Sequence, residues 1–128
     1  MKLLLDTHTL LWWWTNDPQL SIKAKRLIAS ESNTVLISAA SAWEIATKTR
    51  LGKLEIGQMA LQRFHDLVQS DSFTHLPMTW QHCVHACGLS LDHRDPFDRM
   101  LAAQSLLEDA TLVTKDTAFA MFGTRVFW

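Results

Sequence analysis

Cysteine is scarce in this 128-residue sequence, with Cys83 and Cys87 the only two. Four residues apart, they would share one face of a helix, where disulfide geometry is poor, and a secreted disulfide framework draws on more pairs. The expected compartment is therefore a reducing one, the cytoplasm. Long apolar runs are missing as well. Met1-Lys2-Leu3-Leu4-Leu5 starts like a leader, but Asp6 and His8 interrupt it and Asn16-Asp17-Pro18 follow. That is too short for a secretory h-region, and no run approaches the ~20 apolar residues of a membrane span. Four glycines and three prolines leave no linker or low-complexity tract, which predicts one domain over residues 1–128. Nor is there an excess of one charge. Twelve Lys+Arg face thirteen Asp+Glu, for a net charge of -1, which argues against a histone-like or purely electrostatic nucleic-acid binder. What is present, 48% hydrophobic and 20% charged residues, describes a soluble globular chain able to bury its own core.

The apolar patterning predicts alternating strands and helices. Residues 2–5 read as a short buried strand ending at Asp6, followed by a Trp-rich helix or turn over 7–14 that Asn16-Asp17-Pro18 breaks. Ser21 caps a helix to about residue 30, and Val35-Leu36-Ile37, with no polar alternation, suits a parallel strand covered on both faces. Ser38 or Ser41 opens a helix to about Arg50, stopped by Leu51-Gly52. Residues 58–69 read as one helix, 73–76 as a strand and 79–89 as a helix. Pro96 starts a helix to about Glu108, 111–114 is a strand, a short helix begins at Asp116, and 125–128 forms a terminal strand. This order predicts an α/β fold with a parallel sheet of four to five strands and helices on both faces.

The acids fall at telling places. Asp6 directly follows the first strand, Glu44 lies on the helix after the second, and Asp116 follows the fourth. Asp95 and Asp98 open the helix before the fourth strand. In parallel sheets ligands bind outside the carboxyl ends of the strands, so these carboxylates can converge there. Like charges brought together raise one another's pKa, a conflict that a hard divalent cation removes. Mg²⁺ or Mn²⁺ suits such a donor set, and a site of this kind activates water and stabilises the leaving oxygen in phosphodiester hydrolysis. Each acid also has a local reading. Asp6 can simply end a strand, Glu44 can close a capping box with Ser41, Asp95 and Asp116 can cap helices, and Asp98 can pair with Arg99. Glu44 stands among small apolar neighbours and Asp98 on a helix apolar nearly all round, where an idle carboxylate is costly.

Four stretches together resemble the PIN-domain family, specifically the VapC-like ribonuclease toxins of toxin–antitoxin pairs. They are Leu3-Leu4-Leu5-Asp6-Thr7, Ser38-Ala39-Ala40-Ser41-Ala42-Trp43-Glu44-Ile45, Arg94-Asp95-Pro96-Phe97-Asp98-Arg99-Met100-Leu101-Ala102-Ala103-Gln104, and Leu112-Val113-Thr114-Lys115-Asp116. The resemblance runs through the whole chain and implies a metal-dependent endoribonuclease on a three-layer α/β/α sandwich. It makes Asp6, Glu44, Asp98 and Asp116 the acidic quartet. Asp6 and Asp98 would be direct Mg²⁺ ligands, Glu44 and Asp116 would bind through water or orient the attacking water, and Asp95 would be an accessory acid. Where many members carry Thr-Asn after the first acid, this chain has Thr7-His8, and an imidazole there can meet phosphate. The resemblance also implies an antitoxin protein as partner, and a homodimer.

Lys48, Arg94, Arg99 and Lys115 lie near the acidic stretches and can hold phosphates, or else act as ordinary surface cations. Thr7 and Thr114 flank site acids and can orient them or bind phosphate oxygens. Trp12-Trp13-Trp14 cannot all face one core, because helical neighbours diverge by about 100°. A core or dimer contact is the expected role, ahead of base stacking. His82, Cys83, His85 and Cys87 lack the two separated ligand pairs of a structural zinc site, so residues 79–89 are expected to be a core helix. A receiver-like regulatory domain would need an acid ending the third strand, which runs Phe73-Thr74-His75-Leu76-Pro77. The remaining alternative is a non-catalytic RNA-binding or regulatory domain of the same fold. With five acids gathered in one pocket, the other eight face twelve cations, so near-neutrality conceals a mildly basic body around an acidic site.

Overall fold

The computed structural model describes residues 1–89 and 95–128. Its strands are β1 (Lys2–Leu5), β2 (Thr34–Ser38), β3 (Thr74–Leu76), β4 (Thr111–Val113) and β5 (Val126–Phe127). Its helices are α1 (Thr7–Thr15), α2 (Ile22–Ala29), α3 (Ala39–Arg50), α4 (Gly57–Gln62), α5 (Phe64–Ser70), α6 (Trp80–Gly88) and α7 (Pro96–Leu107), and a 3₁₀ turn spans Thr117–Phe122. The five strands form one sheet in the order β3-β2-β1-β4-β5, and every pairing is parallel.

Alternation along the buried strands separates two cores. Leu3, Leu5, Val35, Ile37 and Val113 point to one face, where they meet Leu10 of α1, Ala24 and Ile28 of α2 and Val68 of α5. Leu4, Leu36 and Leu112 point to the other, against Leu101 and Ala102 of α7 and Phe119 and Phe122 of the 3₁₀ turn. Strands apolar on both faces are what helices on both sides of a parallel sheet require. The result is the three-layer α/β/α sandwich. Helix α3 links the layers, with Ile45 packed on Leu11 and Ala60 and with Ala40 packed on Ala86, Met100 and Ala103.

Capping residues set the helix starts. Asp6, Ser21, Ser38, Thr79, Asp95 and Asp116 each accept a hydrogen bond from a backbone N–H in the turn that follows. The caps of α1, α3, α7 and the 3₁₀ turn therefore coincide with the acidic stretches. Ser38, rather than Ser41, opens α3, so Glu44 closes no capping box.

Two expectations are corrected. Residues 58–69 are two helices broken at Arg63, whose φ of -108° and ψ of 10° leave the helical region. The break lets α4 bury Ala60 against Leu11 and Ile45 while α5 buries Val68 in the first core. No Gly or Pro marks it, because the competing demand is tertiary packing. Helix α6 is not a core helix all round. His82 and Ala86 are buried, while Trp80, Cys83, Val84 and Cys87 are exposed. No helix among the described residues is long and apolar enough to cross a membrane.

Candidate active site

The sheet order reverses direction at β1. From there the chain adds β2 and β3 on one side, then β4 and β5 on the other. In parallel sheets the crevice at such a reversal, outside the carboxyl ends of the strands, is where ligands bind. Here that crevice is a cleft of about 250 Å³ lined by Asp6, His8, Trp12, Lys115 and Asp116. Asp6 follows β1 and Asp116 follows β4 by three residues, so the strand ends deliver both acids to one rim.

Asp6 is held on every side. Its backbone N–H donates to Val113 O at 3.1 Å. Its Oδ1 accepts from the His8 N–H at 3.0 Å, and its Oδ2 accepts from Thr114 Oγ1 at 2.6 Å. Burial pushes its carboxyl above the ordinary value of 3.8. The hydrogen bonds from Thr114 and His8 and the His8 charge oppose that shift, and the Glu44 carboxylate adds to it. Asp6 and Glu44 are therefore near enough to repel. Glu44 is itself buried on α3, and its Oε2 accepts from Lys48 Nζ at 2.5 Å one helical turn on.

The other expected residues divide by what they touch. Thr7 is buried, and its hydroxyl shares a 2.9 Å hydrogen bond with Ser41, bracing α1 against α3. Thr114 is buried and also accepts from the Asp116 N–H at 3.0 Å, so it orients two of the acids. His8 is exposed, with Nδ1 3.9 Å from Asp6 Oδ1. Asp116 caps the 3₁₀ turn through Oδ1, at 2.9 Å from the Ala118 N–H. Asp95 caps α7, accepting from Phe97 and Asp98 N–H at 2.9 and 3.2 Å.

Asp98 is half-buried in the first turn of α7. Its preceding residue, Phe97, meets Trp43, the residue before Glu44, with ring centroids 5.0 Å apart. Arg99 donates through Nη2 to the carbonyls of Ala86, Cys87 and Leu89, which ties α7 to the end of α6. Arg94 lies outside the described residues. Among the described residues, no three His, Cys, Asp or Glu side chains stand together closely enough to hold a metal ion.

The donors that do meet are nevertheless chemically suited to one. Two buried carboxylates lie within electrostatic reach of each other, one of them raised by burial and by its neighbour, and an ammonium already sits on the other. A hard divalent cation answers that arrangement. Trp12 is the cleft residue that pattern reading undervalued. The available signal was its spacing. With Asp6 ending the strand and capping α1, His8 and Trp12 at i and i+4 share a helical face.

A parallel α/β sandwich with an acidic cleft at the reversal of strand order is thus defined by its topology and by Asp6. The PIN domain family model matches residues 3–123, and the chain belongs to that family. The VapBC2 structure from Rickettsia felis, bound to a DNA fragment from their promoter, is similar at 16% identity and a TM-score of 0.72, over 99% of this chain and 98% of that one. VapBC-1 from nontypeable Haemophilus influenzae is 18% identical with a TM-score of 0.69, covering 99% and 97%. FitAcB from Neisseria gonorrhoeae is 19% identical with a TM-score of 0.67, covering 98% and 96%. At these identities the likeness is one of fold. Comparison with curated proteins finds no match.

Proposed function

We propose that this chain, acting over residues 1–128 as one nuclease domain, is a divalent-metal-dependent endoribonuclease and the toxin of a toxin–antitoxin pair in the cytoplasm. The observation that carries the reading is the buried Asp6 carboxylate. It is raised by desolvation and by Glu44, and it opens on a cleft at the reversal of strand order. A carboxylate kept in such surroundings costs stability, and a bound cation turns that cost into a binding site.

Asp6 and Asp98 are proposed to hold Mg²⁺ or Mn²⁺ directly, with Glu44 and Asp116 acting through water and Asp95 as an accessory acid. When bound, the ion supplies charge neutralisation at the scissile phosphate and lowers the pKa of water. The chain's own groups do the rest. Asp116 uses Oδ2, the oxygen not taken by Ala118, to orient the attacking water. Thr114 and Thr7 keep Asp6 and α1 in register. Lys48, Lys115, Arg94 and Arg99 provide the positive charge that meets the RNA backbone, and His8 offers an imidazole to a phosphate.

The resemblance to VapC-like toxins and the likeness to the VapBC and FitAcB structures support a partner antitoxin protein. The exposed Trp43, Trp80 and Val84 support a homodimer, since large apolar groups in water favour association. The test is cleavage of single-stranded RNA by purified protein with Mg²⁺, and its loss with chelator and in Asp6→Ala and Asp98→Ala. Undiminished cleavage in both variants overturns the assignment. RNA binding without cleavage under any divalent ion turns it into the non-catalytic alternative.

A further inference from the structure

The cleft contains one group that phosphodiester hydrolysis does not need. Trp12 is the apolar member of a lining otherwise made of Asp6, His8, Lys115 and Asp116. The three consecutive tryptophans are not equivalent. Trp13 and Trp14 both donate their indole N–H to Asp71 Oδ2, at 3.1 and 3.3 Å, and pack on Phe73 and Phe64. Trp12 rests an edge contact on Trp128, with centroids 5.8 Å apart, and among the described residues its indole N–H has no acceptor. Its ring lies 5.9 Å from the His8 ring and 5.9 Å from Lys115 Nζ. Two cationic or polar groups thus flank a half-buried aromatic surface that carries an unused donor, on the same cleft as Asp6 and Asp116.

We propose that Trp12 is the stacking platform for one unpaired nucleobase of the RNA. The inference rests on the nuclease reading and deepens it. A base has a π-face for the indole, a ribose or phosphate oxygen beside the ring can accept from its in-plane N–H, and the flanking phosphates fall to Lys115 and His8. Lys115 reaches the ring over a flexible stem and can exchange the ring for a phosphate. In a duplex both faces of every base are covered by neighbours, so a cleft of about 250 Å³ receives a base only from an unpaired stretch.

The test is fluorescence anisotropy with Asp6→Asn protein, a background that slows cleavage and keeps Trp12. The probe is a 5′-fluorescein single-stranded RNA and a series of the same RNA with one abasic ribose moved along it. One position should weaken binding by roughly fivefold or more, the scale of a single base–aromatic stack. Trp12→Ala in the same background should weaken the intact RNA by a similar factor and flatten the series, and Trp12→Phe should restore most of both. A flat abasic series with Trp12 in place overturns the proposal, whatever Trp12→Ala does to folding. If the original protein, like Asp6→Ala and Asp98→Ala, cleaves no RNA with any divalent ion while the Trp12-dependent abasic dip remains, the base site stands and the nuclease reading falls. If the original protein cleaves, those two variants do not, and the series is flat, the nuclease stands and the base site falls.

Discussion

Thr114 Oγ1 donates a 2.6 Å hydrogen bond to Asp6 Oδ2, joining residues 108 apart in sequence at the ends of β4 and β1. Parallel pairing of Leu5 with Val113 places the residues that follow side by side, so sheet register itself makes this contact. The bond favours the ionised form of Asp6, against burial and Glu44, which favour the neutral one.

The sign of the pH dependence follows. A carboxyl whose folded pKa exceeds its unfolded value binds more protons in the folded state, so stability declines as pH rises from 3.8 through the folded pKa. Urea unfolding of metal-free protein should show this decline, and Asp6→Asn should remove it. Thr114→Val should extend the decline to higher pH and move the acid limb of any cleavage activity upward. Parallel pH curves for the original protein and Asp6→Asn would refute this account of Asp6.

Added Mg²⁺ should raise the melting temperature of the unmodified protein, by on the order of 1–3 kcal/mol of stability at saturating ion. Asp6→Asn should abolish most of that gain. An equal rise in both proteins would place the ion elsewhere.

The Glu44–Lys48 pair has one buried member and one about a third exposed, with 4% and 33% of the side chains accessible. Lys48→Met should cost about 1–2 kcal/mol, a value reduced from that of a fully buried pair by solvent at Lys48. Adding Glu44→Gln should recover much of the loss, because the uncompensated charge is then gone. A double-mutant cycle by chemical denaturation measures the coupling, and strict additivity would count against it.

Gly57 opens α4 where the chain passes α3, and a Cβ there would collide with Thr49 Oγ1. Thr49 cannot easily yield, since its hydroxyl donates to Ile45 O at 2.6 Å. Gly57→Ala should therefore destabilise the fold by roughly 1–3 kcal/mol, and Thr49→Ser should lessen the cost only slightly, because the oxygen remains. Thermal unfolding of the two variants decides.

Much of the architecture was legible from local pattern. Val35-Leu36-Ile37 is apolar without alternation, and only a strand covered on both faces accommodates that. Pro96 after Asp95 marks a helix start that the cap bonds bear out. The break at Arg63 was not legible, because it serves two separate cores rather than any preference of residues 62–64. Nor was the division among Trp12, Trp13 and Trp14, which depends on where Asp71 arrives from the far end of α5.

By itself the sequence determined that this is a parallel α/β chain with acids at the strand exits. Strand and helix periodicity, and the caps that start helices, are written in neighbouring residues. Only the tertiary structure decided what the acids and their neighbours face. Strand order brings Thr114 to Asp6, α3 carries Glu44 within electrostatic reach of Asp6, and Trp12 turns into the cleft while its two neighbours are tied to Asp71. These contacts span tens of residues and depend on register and packing across layers, which no local spacing encodes.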